Sequence, residues 1–359
     1  MKRNALISLA LVGALLVGGC GALAAEAGSA GDPLISLDWL KKTLLPRMES
    51  QLEEHVEDTY VQRAQTQAQG EELLLKRSDL LSLESGSTVT IFSGQAAFGA
   101  AGAVVDLSEG EELTGEGREV SPLHRYLIGE KTAGELTVAT DTAVVRVTGP
   151  YQLTASEALD YNALARALRE LGLFRGTDTP YGAGFDLELT PTRIQGLIMF
   201  LRLMGEEGEA LAYPTGAVTF ADVPTWALPY VAYAYDKGYT KGQGVDAQQR
   251  VYFGPDGTLT ARDYMTFLLR ALGHKEGTDF QWLTALDDAK TLGLLTDGER
   301  ALTEAAEFHR AQVAYLSYFT LFAKPAGGEG LLLDRLVTKG TVDREKVNEV
   351  TASVTVQRL

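Results

Sequence analysis

The chain has 359 residues, with 48 acidic and 32 basic side chains, four His and one Cys, for a formal charge of −16. At about 150 residues per domain this length suggests two or three compact units, and 45% apolar with 22% charged residues is ordinary globular composition, which argues against wholesale disorder. One Cys excludes a disulfide framework and any metal site needing two thiolates, and the negative charge argues against nucleic acid as the main partner because a polyanion would be repelled.

Residues 1–24 read as a signal peptide. Lys2 and Arg3 give a basic start, and 5–17 is an uninterrupted run of apolar and small residues, the length of a signal core and short for a bilayer span. Two cleavage readings stand. Ala22-Leu23-Ala24 supplies a small-x-small pattern that starts the mature chain at Ala25. Alternatively, Val17-Gly18-Gly19-Cys20 resembles a bacterial lipobox, which makes Cys20 the lipidated first residue and gives the protein a lipid anchor in the membrane. Both readings place the protein outside the cytoplasm, and loss of Lys2 and Arg3 moves the charge from −16 to −18.

A Gly/Ala/Ser tract over 24–32 lacks periodicity and reads as a tether. Residues 33–82 are expected to form an N-terminal helical segment, since Leu37, Leu40, Leu44, Leu45, Met48, Leu52 and Val56 recur at steps of three and four. Pro46 can start a helix but not sit inside one, so a short turn ending near Leu45 precedes a longer helix. Over 83–154 the pattern changes to that of a small all-β module. Thr88-Val89-Thr90-Ile91 alternates, and 103–107, 126–128, 136–139 and 143–147 are short β-branched or aromatic runs parted by glycines such as Gly94, Gly102 and Gly134. His124, at a strand start beside Arg125 and Tyr126, reads as a surface or packing residue.

From residue 156 the chain reads as helical, and it repeats. Residues 164–173, 226–235 and 283–292 are apolar at helix spacing, and each run meets a glycine, Gly172, Gly238 or Gly293. After a loop, each is followed by a second helix, at 193–204, 262–272 and 310–322. The three units span 156–210, 217–274 and 276–325, and a two-helix unit of this size buries its apolar face only by stacking on its neighbours. The tail, 326–359, holds apolar runs that fit either helix or strand.

The middle unit carries the clearest motif. Phe220-Ala221-Asp222-Val223 precedes Trp226-Ala227 and Gly238; then come Tyr252-Phe253-Gly254-Pro255-Asp256-Gly257-Thr258-Leu259-Thr260 and, closing the second helix, Arg270-Ala271-Leu272-Gly273. The first unit has Gly172-Leu173-Phe174-Arg175-Gly176, Thr192-Arg193-Ile194-Gln195 and Arg202-Leu203-Met204-Gly205; the third has Gly293-Leu294 and Phe308-His309-Arg310-Ala311-Gln312. These segments resemble the S-layer homology repeat of bacterial cell-surface proteins, over residues 156–325. With the N-terminal helix and the β module read above, the chain is expected to be multidomain α+β, and the resemblance implies that its last part is an all-α bundle of three helix-loop-helix repeats in a pseudo-threefold arrangement. It also implies a function, the non-enzymatic attachment of a cell-surface protein to anionic, pyruvate-modified wall polysaccharide, with no cofactor and no metal.

On that resemblance the ligand-binding residues are Arg193, Arg310, Trp226 and Asp222, with Gly238, Gly242, Lys241 and Arg175 from the loops. The residue types suit the task. An Arg opening a helix adds a planar fork of donors to unpaired backbone N–H groups, which fits a carboxylate. A Trp offers a flat apolar face to a sugar ring, an Asp accepts hydroxyl hydrogen bonds, and Gly lets backbone approach. The units depart from the family pattern in places. Where units one and three have Arg193 and Arg310, unit two has Ala261, with Arg262 one residue later; Trp282 in unit three is one place out of register. At most two grooves therefore match the pattern. No H-E-x-x-H, G-x-S-x-G, P-loop or dinucleotide glycine pattern occurs, and the four His are far apart. Two other functions remain open: a surface interaction protein in which the β module binds the partner and the repeats are scaffold, and a wall hydrolase. The oligomeric state is not readable from the sequence.

Overall fold

The computed structural model describes residues 70–359 apart from 115–116, 178, 216–218 and 305–306, and before them Leu45, Pro46 and Met48. The chain divides into two compact units, Met1–Thr66 and Gln67–Leu359. In the first, Leu45, Pro46 and Met48 are helical. The expected signal peptide, Cys20 and the remainder of the expected helical segment up to residue 69 lie outside the described residues.

The second unit opens with eleven strands: β1 (Glu71–Lys76), β2 (Leu80–Leu83), β3 (Thr88–Ser93), β4 (Ala96–Phe98), β5 (Val104–Asp106), β6 (Glu111–Leu113), β7 (Arg118–Glu119), β8 (Arg125–Ile128), β9 (Gly134–Val138), β10 (Thr142–Thr148) and β11 (Tyr151–Thr154). They form two antiparallel sheets, ordered β1-β10-β3-β8-β5-β6 and β11-β2-β9-β4-β7. β1 pairs with β10, β2 with β9, β3 with β8, β4 with β7 and β5 with β6, so one long ribbon is wound with alternate pairs in opposite sheets, as in a jelly roll. Alternation selects the inner face. Val89 and Ile91 of β3 and Leu136 and Val138 of β9 point inward and meet Leu81, Phe98 and Tyr126 in one core. At the β3–β4 turn Gly94 has φ +81°, and a Cβ there would lie 2.4 Å from the Thr142 carbonyl, so only glycine fits. His124 Nδ1 sits 2.7 Å from Asp106 Oδ2.

This module begins earlier than the sequence suggests: β1 and β2 lie within the stretch 33–82 expected to be helical. Glu71-Glu72-Leu73-Leu74-Leu75-Lys76 is made of good helix formers. Pairing along its whole length with β10, from Glu71↔Val147 to Lys76↔Thr142, overrides that preference.

Among the described residues ten α-helices follow: α1 (Tyr161–Glu170), α2 (Arg193–Leu203), α3 (Glu207–Leu211), α4 (Leu228–Asp236), α5 (Ala261–Ala271), α6 (Ala285–Thr291), α7 (Asp297–Leu302), α8 (Arg310–Thr320), α9 (Leu332–Thr338) and α10 (Arg344–Ser353). The three units share their local closures. α1, α4 and α6 end at Gly172, Gly238 and Gly293, all at φ between +73° and +76°. The next residue in each case, Leu173, Tyr239 or Leu294, donates its N–H to the carbonyl five residues back, the Schellman closure that only a left-handed residue permits. Thr192 and Thr260 open α2 and α5 with capping boxes closed by Gln195 and Asp263.

The units also interlock. The loop of unit two lies on the start of α2, where Arg193 N donates to Gly257 O (2.7 Å) and Ile194 N to Pro255 O (3.1 Å). The loop of unit one lies on the start of α8 in the same way, with Arg310 N on Leu189 O and Ala311 N on Leu187 O, both 2.9 Å. One hydrophobic core runs through all three, including Leu164, Phe200, Val231, Phe267, Ala289 and Tyr315. The tail joins it as helices: Leu332, Leu333 and Leu336 of α9 and Val347 and Val350 of α10 are buried. Among the described residues no helix is long and apolar enough to cross a membrane.

The β module rests on unit one and α8. Glu72 Oε1 accepts from Gly182 N (2.7 Å), Phe92 stacks on Tyr181 at 5.0 Å, and Gln312 Nε2 donates to Asp141 (3.0 Å).

Candidate functional site

A groove of about 410 Å³ opens between α2, the loop after α4, α5 and the start of unit three. Arg193, the first residue of α2, enters it from behind. It is 6% exposed, its guanidinium lies against the rings of Phe253 and Phe267 (5.2 and 5.5 Å), and Nη1 is 2.8 Å from Asp263 Oδ1. That contact is an ion pair without hydrogen-bond alignment: among the described residues, Nε and Nη1 are buried with no hydrogen-bond acceptor. A buried guanidinium with unmet donors is costly alone, and Asp263 supplies the charge that compensates it.

Asp263 serves two ends. Oδ2 accepts from Thr260 N and Oγ1, which closes the capping box of α5, while Oδ1 faces Arg193 and, at 3.4 Å, Trp282 Nε1. Across the groove Lys241 Nζ and Arg270 Nη2 meet Glu276 at 2.5 and 2.7 Å, and Arg270 Nη1 donates to Tyr239 O. Burial alone would raise the Glu276 pKa, but Lys241 and Arg270 outweigh it and hold the carboxyl below the usual glutamate range. Three cations thus face two carboxylates, which leaves the lining one positive charge in excess. Gly242, at φ +72°, lines the groove where the loop passes the short hairpin Gly244–Val245/Val251–Tyr252; a Cβ would come within 2.6 Å of Tyr252 O.

The remaining expected residues fall elsewhere. Arg310 is a correction. It is 5% exposed; Nε donates to Phe185 O (2.9 Å), Nη2 donates to Arg175 O (3.1 Å), and Nη1 rests against Met199 Sδ. Burial draws its pKa down to about 10 against the opposing pull of Asp186, so it stays charged at neutral pH, shielded from any ligand. The position of Asp263 is taken in α2 by Gln195, committed to Thr192 N, so Arg310 finds carbonyls where Arg193 finds a carboxylate. Arg175 offers Arg310 its carbonyl, and its own side chain is exposed. Asp222 is also a correction: both oxygens accept backbone N–H groups, Phe253 at 2.9 Å and Gly254 at 2.7 Å, and so brace the loop that covers α2. Trp226 is 59% exposed and does not line the groove, and Gly238 is the closing glycine of α4.

The aromatic wall of the groove is Trp282, whose out-of-register position hid it in the sequence. Among the described residues no three His, Cys, Asp or Glu side chains are grouped to hold a metal. Compared with protein-family models and with curated protein sequences, the chain matches none.

Proposed function

We propose that the chain is a non-enzymatic, exported cell-surface protein whose three helical units are S-layer-homology-like repeats in a pseudo-threefold arrangement, and that the groove at Arg193 holds a carboxylate of an anionic, pyruvate-modified wall polysaccharide. The observation that carries this reading is the net-positive groove that Arg193 lines together with Lys241, Arg270 and the indole of Trp282. The interlocking of the loops of units two and one with the starts of α2 and α8 supports the repeat arrangement, and the basic-then-apolar start of the chain supports export.

The test is sedimentation of the full chain with purified walls that carry pyruvylated polysaccharide, before and after acid removal of the pyruvate ketals. Binding should fall at least tenfold on ketal removal and in Arg193→Ala, while Trp226→Ala, outside the groove, binds as the parent does. Equal binding by Arg193→Ala and the parent chain sinks the proposal.

A further inference from the structure

The β module carries a polar cluster of its own. Asp106 ends β5 and is buried; Oδ1 accepts from Ser108 N (2.8 Å) and Glu109 N (3.3 Å), and Oδ2 is 2.7 Å from His124 Nδ1. Burial alone would raise the Asp106 pKa, but the hydrogen bond from His124 and the two backbone N–H groups outweigh it and hold the carboxyl below the usual aspartate range. An ionised carboxylate at Nδ1 keeps a proton on that nitrogen, so the neutral ring has its lone pair on Nε2. The buried ring of Tyr126 stacks against the imidazole at 6.4 Å and fixes its plane. Nε2 faces Glu109 Oε1 at 3.8 Å, too far for a hydrogen bond.

A carboxylate behind an imidazole is the arrangement that orients a metal-ligating histidine. Two ligands at about 2.1 Å from a tetrahedral ion stand roughly 3.4 Å apart. The Glu109 side chain is exposed and can close the remaining gap by a small torsion. Asp106 is spent on His124, so one chain offers one nitrogen and one oxygen, whereas a tetrahedral zinc ion takes four ligands. The rim is apolar. Leu107 and Leu123, the sequence neighbours of Asp106 and His124, are both exposed. Leu123 has φ +66° in the turn that His124 N closes on Ser121 O (3.3 Å), a position that usually takes glycine. With its side chain in solvent, the leucine makes no burial within the chain that offsets this strain.

We propose that His124 and Glu109 are half of a zinc site, completed by the same two residues of a second copy, so that Zn²⁺ joins two chains through their β modules. A two-fold axis through the ion makes the interface self-complementary and lays Leu107 and Leu123 of each copy against the other. Imidazole and carboxylate suit zinc, and the divalent charge offsets the repulsion between two Glu109 side chains and between two chains of formal charge −16. Asp106 is a positioning residue, since it acts through His124. The inference is independent of the reading of the Arg193 groove.

Sedimentation velocity of the full chain, first in EDTA and then with Zn²⁺ in small excess, tests it. Zn²⁺ should double the mass read in EDTA, calorimetry should count one ion per two chains, and EDTA should reverse the change. His124→Ala and Glu109→Gln should keep the EDTA mass at the same Zn²⁺ concentration. Asp106→Asn, its fold checked by the melting curve, should need at least tenfold more Zn²⁺ for half-maximal dimer. Leu123→Gly relieves the turn and removes an apolar contact, so it should melt no lower than the parent and yet dimerise more weakly. If Zn²⁺ leaves the mass unchanged, or doubles it equally in His124→Ala, the proposal is refuted. One ion bound per chain at constant mass would equally overturn it, because the site would then be complete without a second copy.

Discussion

Arg193 and Arg310 open equivalent helices and are almost equally buried, yet their guanidinium groups do opposite work. The residue two places into the facing helix start decides it: Asp263 leaves Arg193 in a charged, imperfectly satisfied pair, whereas Gln195 leaves Arg310 to the carbonyls of Phe185 and Arg175. Arg310→Ala removes both donors and a side chain packed on Phe174, so it should cost about 2–4 kcal/mol in urea unfolding and leave wall binding intact below the melting range. Asp263→Asn takes one negative charge from the groove and should strengthen wall binding several-fold, read by sedimentation. Nearby, Glu188 is held above the ordinary glutamate pKa, mainly by burial and further by Asp186, although its own N–H, Ser93 and Arg310 pull the other way. A folded carboxyl that keeps its proton more tightly than the unfolded one contributes stability that is full below its ordinary value and is lost as pH rises through the raised value. Glu188→Gln should therefore melt a few degrees higher at neutral pH, with the gap closing as pH falls towards 4.5.

At the level of elements, the groove depends on the loop after α4 holding its backbone against the small hairpin. Gly242→Ala would place a methyl 2.4 Å from Val251 Cγ1 and 2.6 Å from Tyr252 O in a left-handed conformation, so the strain falls on the backbone and the clash on a buried side chain and a carbonyl. It should lower the melting temperature and reduce wall binding together. Gly238→Ala, with the same backbone hand and open space around it, should cost about 1 kcal/mol and spare binding. The contrast shows what was legible beforehand. The paired helices of each unit could be read because their apolar period is 3.6 and a left-handed glycine closes each first helix. β1 was missed because its composition favours helix and only β10, about 70 residues on, makes it a strand. Of the residues that line the groove, the sequence singled out Arg193, Lys241 and Gly242 but not Trp282, Arg270 and Glu276, because their convergence depends on how unit three packs against α5 and leaves no local pattern.

Across the whole molecule the places where helical units meet are unequal, although the local closures repeat. One carries the groove at Arg193. Another, around Arg310, lies under a loop whose Tyr181 and Gly182 hold the β module. Away from these seams, residues 354–359 lie along unit three: Arg358 grips Glu299 with Nε and Nη2 at 2.8 Å and donates to Leu294 O, Leu359 N donates to Tyr315, and Thr296 donates to Leu359 O. Glu299 is 1% exposed and also closes the capping box of α7, so its charge is compensated chiefly by Arg358, which is itself about a third exposed. Arg358→Ala should thus leave a buried carboxylate short of its cation and cost about 1–3 kcal/mol, less than for a fully buried pair because water reaches the arginine side. Glu299→Gln should recover part of that loss when combined with Arg358→Ala, since a neutral amide needs no counter-charge. A double-mutant cycle by urea denaturation measures this coupling. Strictly additive losses would mean that the last six residues merely rest on unit three, whereas a coupling energy of about 1 kcal/mol or more would establish them as the clasp that holds its loop in place.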